Sequence, residues 1–291
     1  MKPFELPITT KIGSVHLQVS NMEASLRFYS QLLGFRIIEI KESFVFLSSN
    51  GSYPSQITLS IIDNSTDKPY KTTGLYHLGI RLPSRKELAI TLKRLLEFRW
   101  QLCGLSDHTV SEAIYLSDPD DNGIELYVDR TDDVWNSTVD MTTTCMNPRG
   151  LLEEIEDKNE YTWQGIHPEA DIGHIHLQVS DLNKAAAFYH NLLGFKITWR
   201  ESQGALFLAA GSYHHHIALN TWSSKNASSP PSNSVGLLSY SFFLDTEKSL
   251  NKLINHLKIS NYAYDLFSTN NEEGLSLDDP DGIMINFIVN K

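Results

Sequence analysis

The sequence predicts an α+β chain assembled from four βαβββ units, two in each half. Two observations carry that expectation. Residues 13–35, GSVHLQVSNMEASLRFYSQLLGF, recur as GHIHLQVSDLNKAAAFYHNLLGF at 173–195, 160 residues later and without a gap, with 12 of 23 positions identical. Within each half, a strand pattern, a helix pattern and further strand patterns follow one another twice. The repeat persists downstream: GSY at 51–53 returns at 211–213, and YLSDPDDNGIELYVD (115–129) is echoed at an offset of 161 by SLDDPDGIMINFIVN (276–290).

The elements follow in order. Residues 16–19 alternate as a strand does, with His16 and Gln18 on one face and Leu17 and Val19 on the other. Asn21, and Asp181 in the copy, are placed to cap a helix whose apolar positions Leu26, Tyr29, Leu32 and Leu33 fall at helical spacing, and Gly34 ends it. Strands are expected near 35–41, 43–48 and 56–62. The second unit repeats the order with a strand at 76–82, a helix over 85–99, and strands near 112–117 and 124–129. These patterns place an N-terminal domain at 10–130, a polar linker carrying a short helix at 131–170 and a C-terminal domain at 171–291. The run WSSKNASSPPSNS at 222–234 reads as a loop joining the two units of the second half.

Composition narrows the function classes. With 291 residues, 41% of them hydrophobic and 20% charged, the chain has apolar mass for about two packed domains. Lys and Arg total 24 against 35 Asp and Glu, a formal charge of -11. An acidic chain without basic clusters is expected not to bind nucleic acid, whose phosphates it repels. Two cysteines, Cys103 and Cys145, make no disulfide scaffold and read as free structural thiols. No apolar run long enough to span a membrane occurs, and residues 1–13 lack a signal-like core. A soluble, cytoplasmic protein is the expectation.

The motifs HLQVS…FY…LLGF, present twice, and YLSDPDDNGIELYVDR resemble the vicinal oxygen chelate superfamily, which holds glyoxalase I, extradiol ring-cleaving dioxygenases and bleomycin-resistance proteins. The resemblance covers nearly the whole chain and is closest to two-domain proteins similar to catechol-2,3-dioxygenase, through TTGLYHLGI, SEAIYLSDPD and GSYHHHIALN. It implies two domains, each a half-open barrel of curved sheet with outer helices. It also implies a metal held by His16, His77 and Glu125, which stand on the family's ligand positions. Two imidazoles and one carboxylate leave coordination positions open, as non-haem Fe(II) oxygenases require. Glyoxalase I has a fourth ligand, and near the matching position this chain has Thr58 and Gln56, neither a strong donor. Fe(II) is therefore the favoured ion, with Mn, Ni or Zn as alternatives.

Tyr115, ten residues before Glu125, matches an active-site tyrosine of the extradiol enzymes, and His108 in the preceding loop is the nearby side chain suited to general acid–base work near neutral pH. DPDDNG at 118–123 lacks the frame of a calcium loop and reads as a tight turn. In the second half His176 matches His16, but Ser239, Asn286 and Ser276 replace His77, Glu125 and Tyr115, so the three-ligand set is absent there. His174, His176, His214 and His216 are dense enough to form a different site, with Trp199, Tyr213 and Trp222 as core or lining. The reading is a metal-dependent extradiol-type dioxygenase acting on a catechol or hydroquinone with O2. The alternatives are a glyoxalase-like isomerase, a thiol-transfer enzyme, or a non-enzymatic protein that binds an aromatic compound or antibiotic. Homodimers occur in the family, and no nucleic-acid or membrane partner is expected.

Overall fold

Seventeen strands and five α-helices occur among the described residues (4–131, 143–155 and 163–291) of this computed structural model. The first repeat comprises β1 (Lys11–Val19), α1 (Met22–Leu26), β2 (Arg36–Lys41), β3 (Phe44–Ser48) and β4 (Ile57–Ile61). The second comprises β5 (Gly74–Arg81), α2 (Arg85–Glu97), β6 (Leu102–Asp107), β7 (Ser111–Ser117) and β8 (Gly123–Asp129). A short strand, β9 (Thr144–Cys145), and a short helix, α3 (Pro148–Leu152), follow. The third repeat is β10 (Asp171–Gln178), α4 (Leu182–Ala186), β11 (Lys196–Glu201), β12 (Ala205–Ala209) and β13 (Ile217–Asn220). The fourth is β14 (Gly236–Phe243), α5 (Glu247–Ile259), β15 (Asp265–Ser268), β16 (Glu272–Asp278) and β17 (Met284–Asn290). The linker expected over 131–170 falls in part on 132–142 and 156–162, which lie outside the described residues. Strand β6 and the π-helical turns described below are features the sequence patterns did not anticipate.

Two compact units divide the chain, and neither is contiguous in sequence. Unit 1 takes Met1–Gln18, Ile62–Tyr76 and His174–Lys291, and unit 2 takes Val19–Ile61 and His77–Gly173. In unit 2 the strands run β5-β8-β7-β6-β9 and β4-β3-β2; in unit 1 they run β15-β16-β17-β14-β1 and β11-β12-β13-β10. Three complete repeats thus share one order, first strand, fourth, third, second, with the first and fourth parallel and the others antiparallel. The sheets are mixed and do not close into barrels. Helices α2 and α5 lie on β8 and β17 respectively, burying Leu88, Leu92 and Leu95 in one case and Leu250, Leu253 and Leu257 in the other. Cys103 and Cys145 are free and exposed, so they have no part in a core.

The duplicated motif is explained by a local lock that appears once in each unit. Asn21 accepts from the Ala24 N–H and Asp181 from the Asn183 and Lys184 N–H groups, starting α1 and α4. Each helix then widens into a π-helical turn, Arg27–Leu32 or Ala187–Leu192, closed by Leu33 N–H to Phe28 C=O and by Leu193 N–H to Phe188 C=O, both 2.9 Å. Gly34 and Gly194 end the turns at φ +85° and +79°, a conformation costly for residues with a Cβ. The turns carry Tyr29 and Tyr189, each fully buried and donating to an aspartate at 2.8 Å: Tyr29 to Asp118, Tyr189 to Asp279. Those aspartates belong to the DPD segments, and their other oxygens accept backbone N–H groups of Asp120 and Asn122, or of Asp281 and Ile283. DPDDNG is therefore a tight turn held by its own carboxylate.

This lock has a pH signature. Burial raises the Asp279 carboxyl to about 6, against the backbone and Tyr189 hydrogen bonds that favour the charged form. The native state therefore binds this proton more tightly than the unfolded chain. Its stability falls as pH rises from about 4 to 6, by about 3 kcal/mol for this one group. Asp279→Asn removes the titration. In urea unfolding at pH 4 and pH 7, the stability of the variant relative to wild type should rise by about that amount on going to pH 7. A difference that stays flat across the window would overturn the assignment.

Candidate metal centre

Within unit 2 the parallel pair β5 and β8 and the antiparallel pair β8 and β7 set the site. Gly79 is the register partner of Glu125, and on the other side Tyr115 is the register partner of Glu125. Residues 77 and 79 share a face of β5, so His77, Glu125 and Tyr115 project from the same side of three neighbouring strands. The opposite face carries Leu78, Ile80, Ile114, Leu116, Ile124 and Leu126, all essentially inaccessible to solvent. That apolar layer fixes the strands and hence the polar trio.

His77 Nε2 lies 2.9 Å from Glu125 Oε2, and the two residues are only 7% and 4% exposed. The rings of His77 and Tyr115 are 5.6 Å apart. His108 sits in the turn between β6 and β7, where its N–H donates to Ser111 C=O at 2.9 Å and the next residue, Thr109, has φ +69°. That turn brings His108 Nε2 to 2.7 Å from the Tyr115 hydroxyl, while Nδ1 lies 2.9 Å from Thr143 Oγ1. Gly104 is the register partner of Tyr115 on β6, and nothing lies within 4 Å of where a Cβ there would be. The tyrosine thus has a proton-exchanging partner on one edge and open space on another.

A carboxylate and an imidazole removed from water are costly unless they are paired or bind a cation. Here they present a carboxylate oxygen and a ring nitrogen to the same point. That donor chemistry fits a divalent metal, and nitrogen with carboxylate oxygen suits Fe, Mn, Ni or Zn. Beyond it, His108 Nε2 meets the Tyr115 hydroxyl and Thr143 Oγ1 meets the other ring nitrogen, an arrangement through which a proton can pass.

The remaining candidate residues lie in unit 1. His16 is on β1, where its register partner on β14 is Ser239, and Ser241 on that strand pairs with Asn286 on β17. Its imidazole is held below the ordinary value by burial. The histidine cluster does assemble: the rings of His174 and His215 are 4.5 Å apart, and His214 Nδ1 is 2.8 Å from His215 Nδ1, so one proton is shared between two rings. His176 Nε2 accepts from Asn220 Nδ2 at 3.0 Å, and His216 Nδ1 accepts from Ala210 N–H at 3.2 Å. Tyr76 and Trp222 pack edge-on against His176. Sequence reasoning missed Gly79, Gly104 and Thr143. The two glycines were visible inside strand patterns, where a missing side chain marks close approach or open space.

Residues 11–126 and 171–287 match the family model described as the Glyoxalase/Bleomycin resistance protein/Dioxygenase superfamily. The chain belongs to that superfamily. It is 39% identical over 289 residues to the catechol-2,3-dioxygenase of Bacillus subtilis (strain 168), covering 96% of this chain and 98% of that protein. Among solved structures, a candidate dioxygenase from Bacillus subtilis superposes with a TM-score of 0.68 at 12% identity, covering 98% of this chain and 86% of that one. Glyoxalase I from Zea mays superposes with a TM-score of 0.58 at 12% identity, covering 97% and 92%. At such identities these likenesses concern the fold, the two-domain vicinal oxygen chelate arrangement expected from the motifs. The same superfamily fold carries both oxygen and isomerase chemistry, so the reaction must be argued from the site. Among the described residues, no helix is long and apolar enough to cross a membrane.

Proposed function

We propose that this protein is a metal-dependent, extradiol-type ring-cleaving dioxygenase that acts on a catechol or hydroquinone with O2. The observation that carries the reading is the Tyr115–His108 pair standing beside the buried His77–Glu125 pair. Near full-length likeness to a catechol-2,3-dioxygenase supports it. We propose His77 and Glu125 as metal ligands, with Fe(II) as the resident ion and Mn, Ni or Zn as the ions to compare. For the third donor we propose His16, which stands on the family's remaining ligand position.

Fe(II) held there by His77 and Glu125 would supply a redox-active Lewis acid able to couple an aromatic diol with O2. The chain's own residues handle position and protons. The Tyr115 hydroxyl donates to a substrate oxygen and fixes the ring's orientation. His108 Nε2 takes a proton passed from the substrate hydroxyl through Tyr115 Oη, and returns it when the ring opens. Thr143 Oγ1 keeps the imidazole turned toward the tyrosine.

The test is anaerobic loading with Fe(II), followed by oxygen uptake with catechol and with hydroquinone. About one O2 consumed per ring cleaved supports the proposal. Conversion of a hemithioacetal without O2 would replace it with the isomerase reading, and tight retention of an aromatic ligand in metal-stripped protein without turnover would replace it with a binding role. Metal content of His16→Ala, measured beside that of His77→Ala, tests the third donor.

A further inference from the structure

Unit 1 holds a cavity of about 150 Å3. Its walls come from Lys68 and Thr73 in the loop before β5 and the first residues of β5, from the loop 229–235 and the start of β14, and from the turn before β17. The loops are stitched together: Thr66 N–H donates to Asn233 C=O, Val235 N–H to Thr66 C=O and Thr73 N–H to Ser228 C=O, at 3.0, 2.9 and 3.2 Å. The Asn233 side chain adds a bond to Asn64 C=O. Such a wall is built rather than incidental.

Three polar groups face this space with unmet capacity. Thr73 Oγ1 and Ser234 Oγ are buried, the residues being 0% and 6% exposed, and neither has a hydrogen-bond partner among the described residues. Both line the cavity together with Lys68. Lys68 Nζ donates to Leu75 C=O at 3.0 Å and lies 3.4 Å from Gln178 Oε1, both uncharged acceptors, which leaves one of its three N–H groups over. Among the described residues no carboxylate pairs with it. The Asp281 carboxylate, also on the lining, accepts from the Ser180 N–H at 3.0 Å. Burial lowers the Lys68 pKa to about 8, as an ammonium lacking a counter-charge requires. Buried polar groups are ordinarily satisfied, so two orphan hydroxyls and an unpaired cation around one cavity mark a missing ligand.

We propose that this cavity binds a small monocarboxylate, its oxygens accepting from the Lys68 ammonium and the Thr73 and Ser234 hydroxyls. One ammonium matches one negative charge, and the Asp281 carboxylate on the same lining disfavours a second. Pro231, Leu237 and Ile283 supply apolar wall for a short carbon chain, and the volume suits an acid of roughly three to five carbons. The inference does not depend on the dioxygenase reading.

Propionate is the probe. In the metal-loaded full-length chain with 13C-labelled lysine, the Lys68 ε-carbon signal should shift saturably, and its titration midpoint should move up by about one unit or more as the counter-charge arrives. Thr73→Val combined with Ser234→Ala should weaken propionate about tenfold or more while leaving the fold intact, and Lys68→Met should abolish binding. Binding in Glu125→Gln should equal wild type, which separates this site from carboxylate captured by metal. No saturable shift up to about 50 mM propionate, far weaker than any built site, would overturn the proposal. So would unchanged affinity in the hydroxyl double variant, or an equal response to inorganic phosphate.

Discussion

Glu125→Ala should lower bound metal from about one ion per chain to below roughly a tenth of that, and ring cleavage should fall to background. The physical reason is the setting of the carboxylate. Glu125 is 4% exposed, and its Oε2 lies 2.9 Å from His77 Nε2. No water can replace a charged ligand at that depth without leaving the ion short of negative charge. Loss of a supporting partner alone commonly costs 10–100-fold in metal affinity, and loss of a direct carboxylate ligand should exceed that. Stability gives an independent readout. Ligand binding to the native state raises Tm once free ligand exceeds Kd, so anaerobic Fe(II) should raise the Tm of wild type and leave that of Glu125→Ala unmoved. Metal retained at wild-type level in the variant would move the centre away from β5 and β8. His77→Ala should behave alike, since one imidazole cannot hold the ion without its neighbour.

How far the sequence carried the fold can be judged element by element. The duplication was legible because it is written in local chemistry: the Asn21 and Asp181 caps, the Tyr29 and Tyr189 donors and the DPD carboxylates recur at fixed spacing. The widened turn at Arg27–Leu32 was not legible, since its apolar positions satisfy an ordinary helical period equally well. Strand β6 was passed over because LCGLSD lacks alternation and carries a glycine inside it. The interleaving of the two units could not be read from spacing, because it rests on pairings such as His16 with Ser239, more than two hundred residues apart.

The site divides along the same line. His77, Tyr115 and Glu125 sit on regular strands, where spacing of two and register determine which side chains share a face. His108 sits on a turn whose geometry depends on the left-handed Thr109, and its contact with Tyr115 follows from that backbone rather than from any periodicity. The role of His16 could not be read from spacing, since it stands on β1, the opening strand of the first repeat, far in sequence from Glu125. The histidine cluster that looked like a rival site contains rings already committed to Asn220 and to the Ala210 N–H.

Tyr115→Phe should lower kcat by roughly a hundredfold or more, with KM changed far less and metal content unchanged. The substitution removes one oxygen and keeps the ring that packs 5.6 Å from His77, so the centre itself is undisturbed. What is lost is the link between substrate and His108, whose Nε2 is 2.7 Å from that oxygen. General acid–base groups typically contribute 10²–10⁴-fold, and the loss should appear where the proton moves rather than where the substrate docks. The pH profile separates this role from a packing one. Wild type should show a kcat limb set by the coupled Tyr115–His108 pair, and that limb should vanish in Tyr115→Phe. His108→Gln, which keeps a hydrogen-bonding side chain but cannot titrate, should also lose the limb with a smaller fall in kcat, because Tyr115 can still orient the ring. If Tyr115→Phe keeps wild-type kcat and the same pH limb, the pair is structural, and proton transfer must then be assigned to solvent or to the substrate's own second hydroxyl.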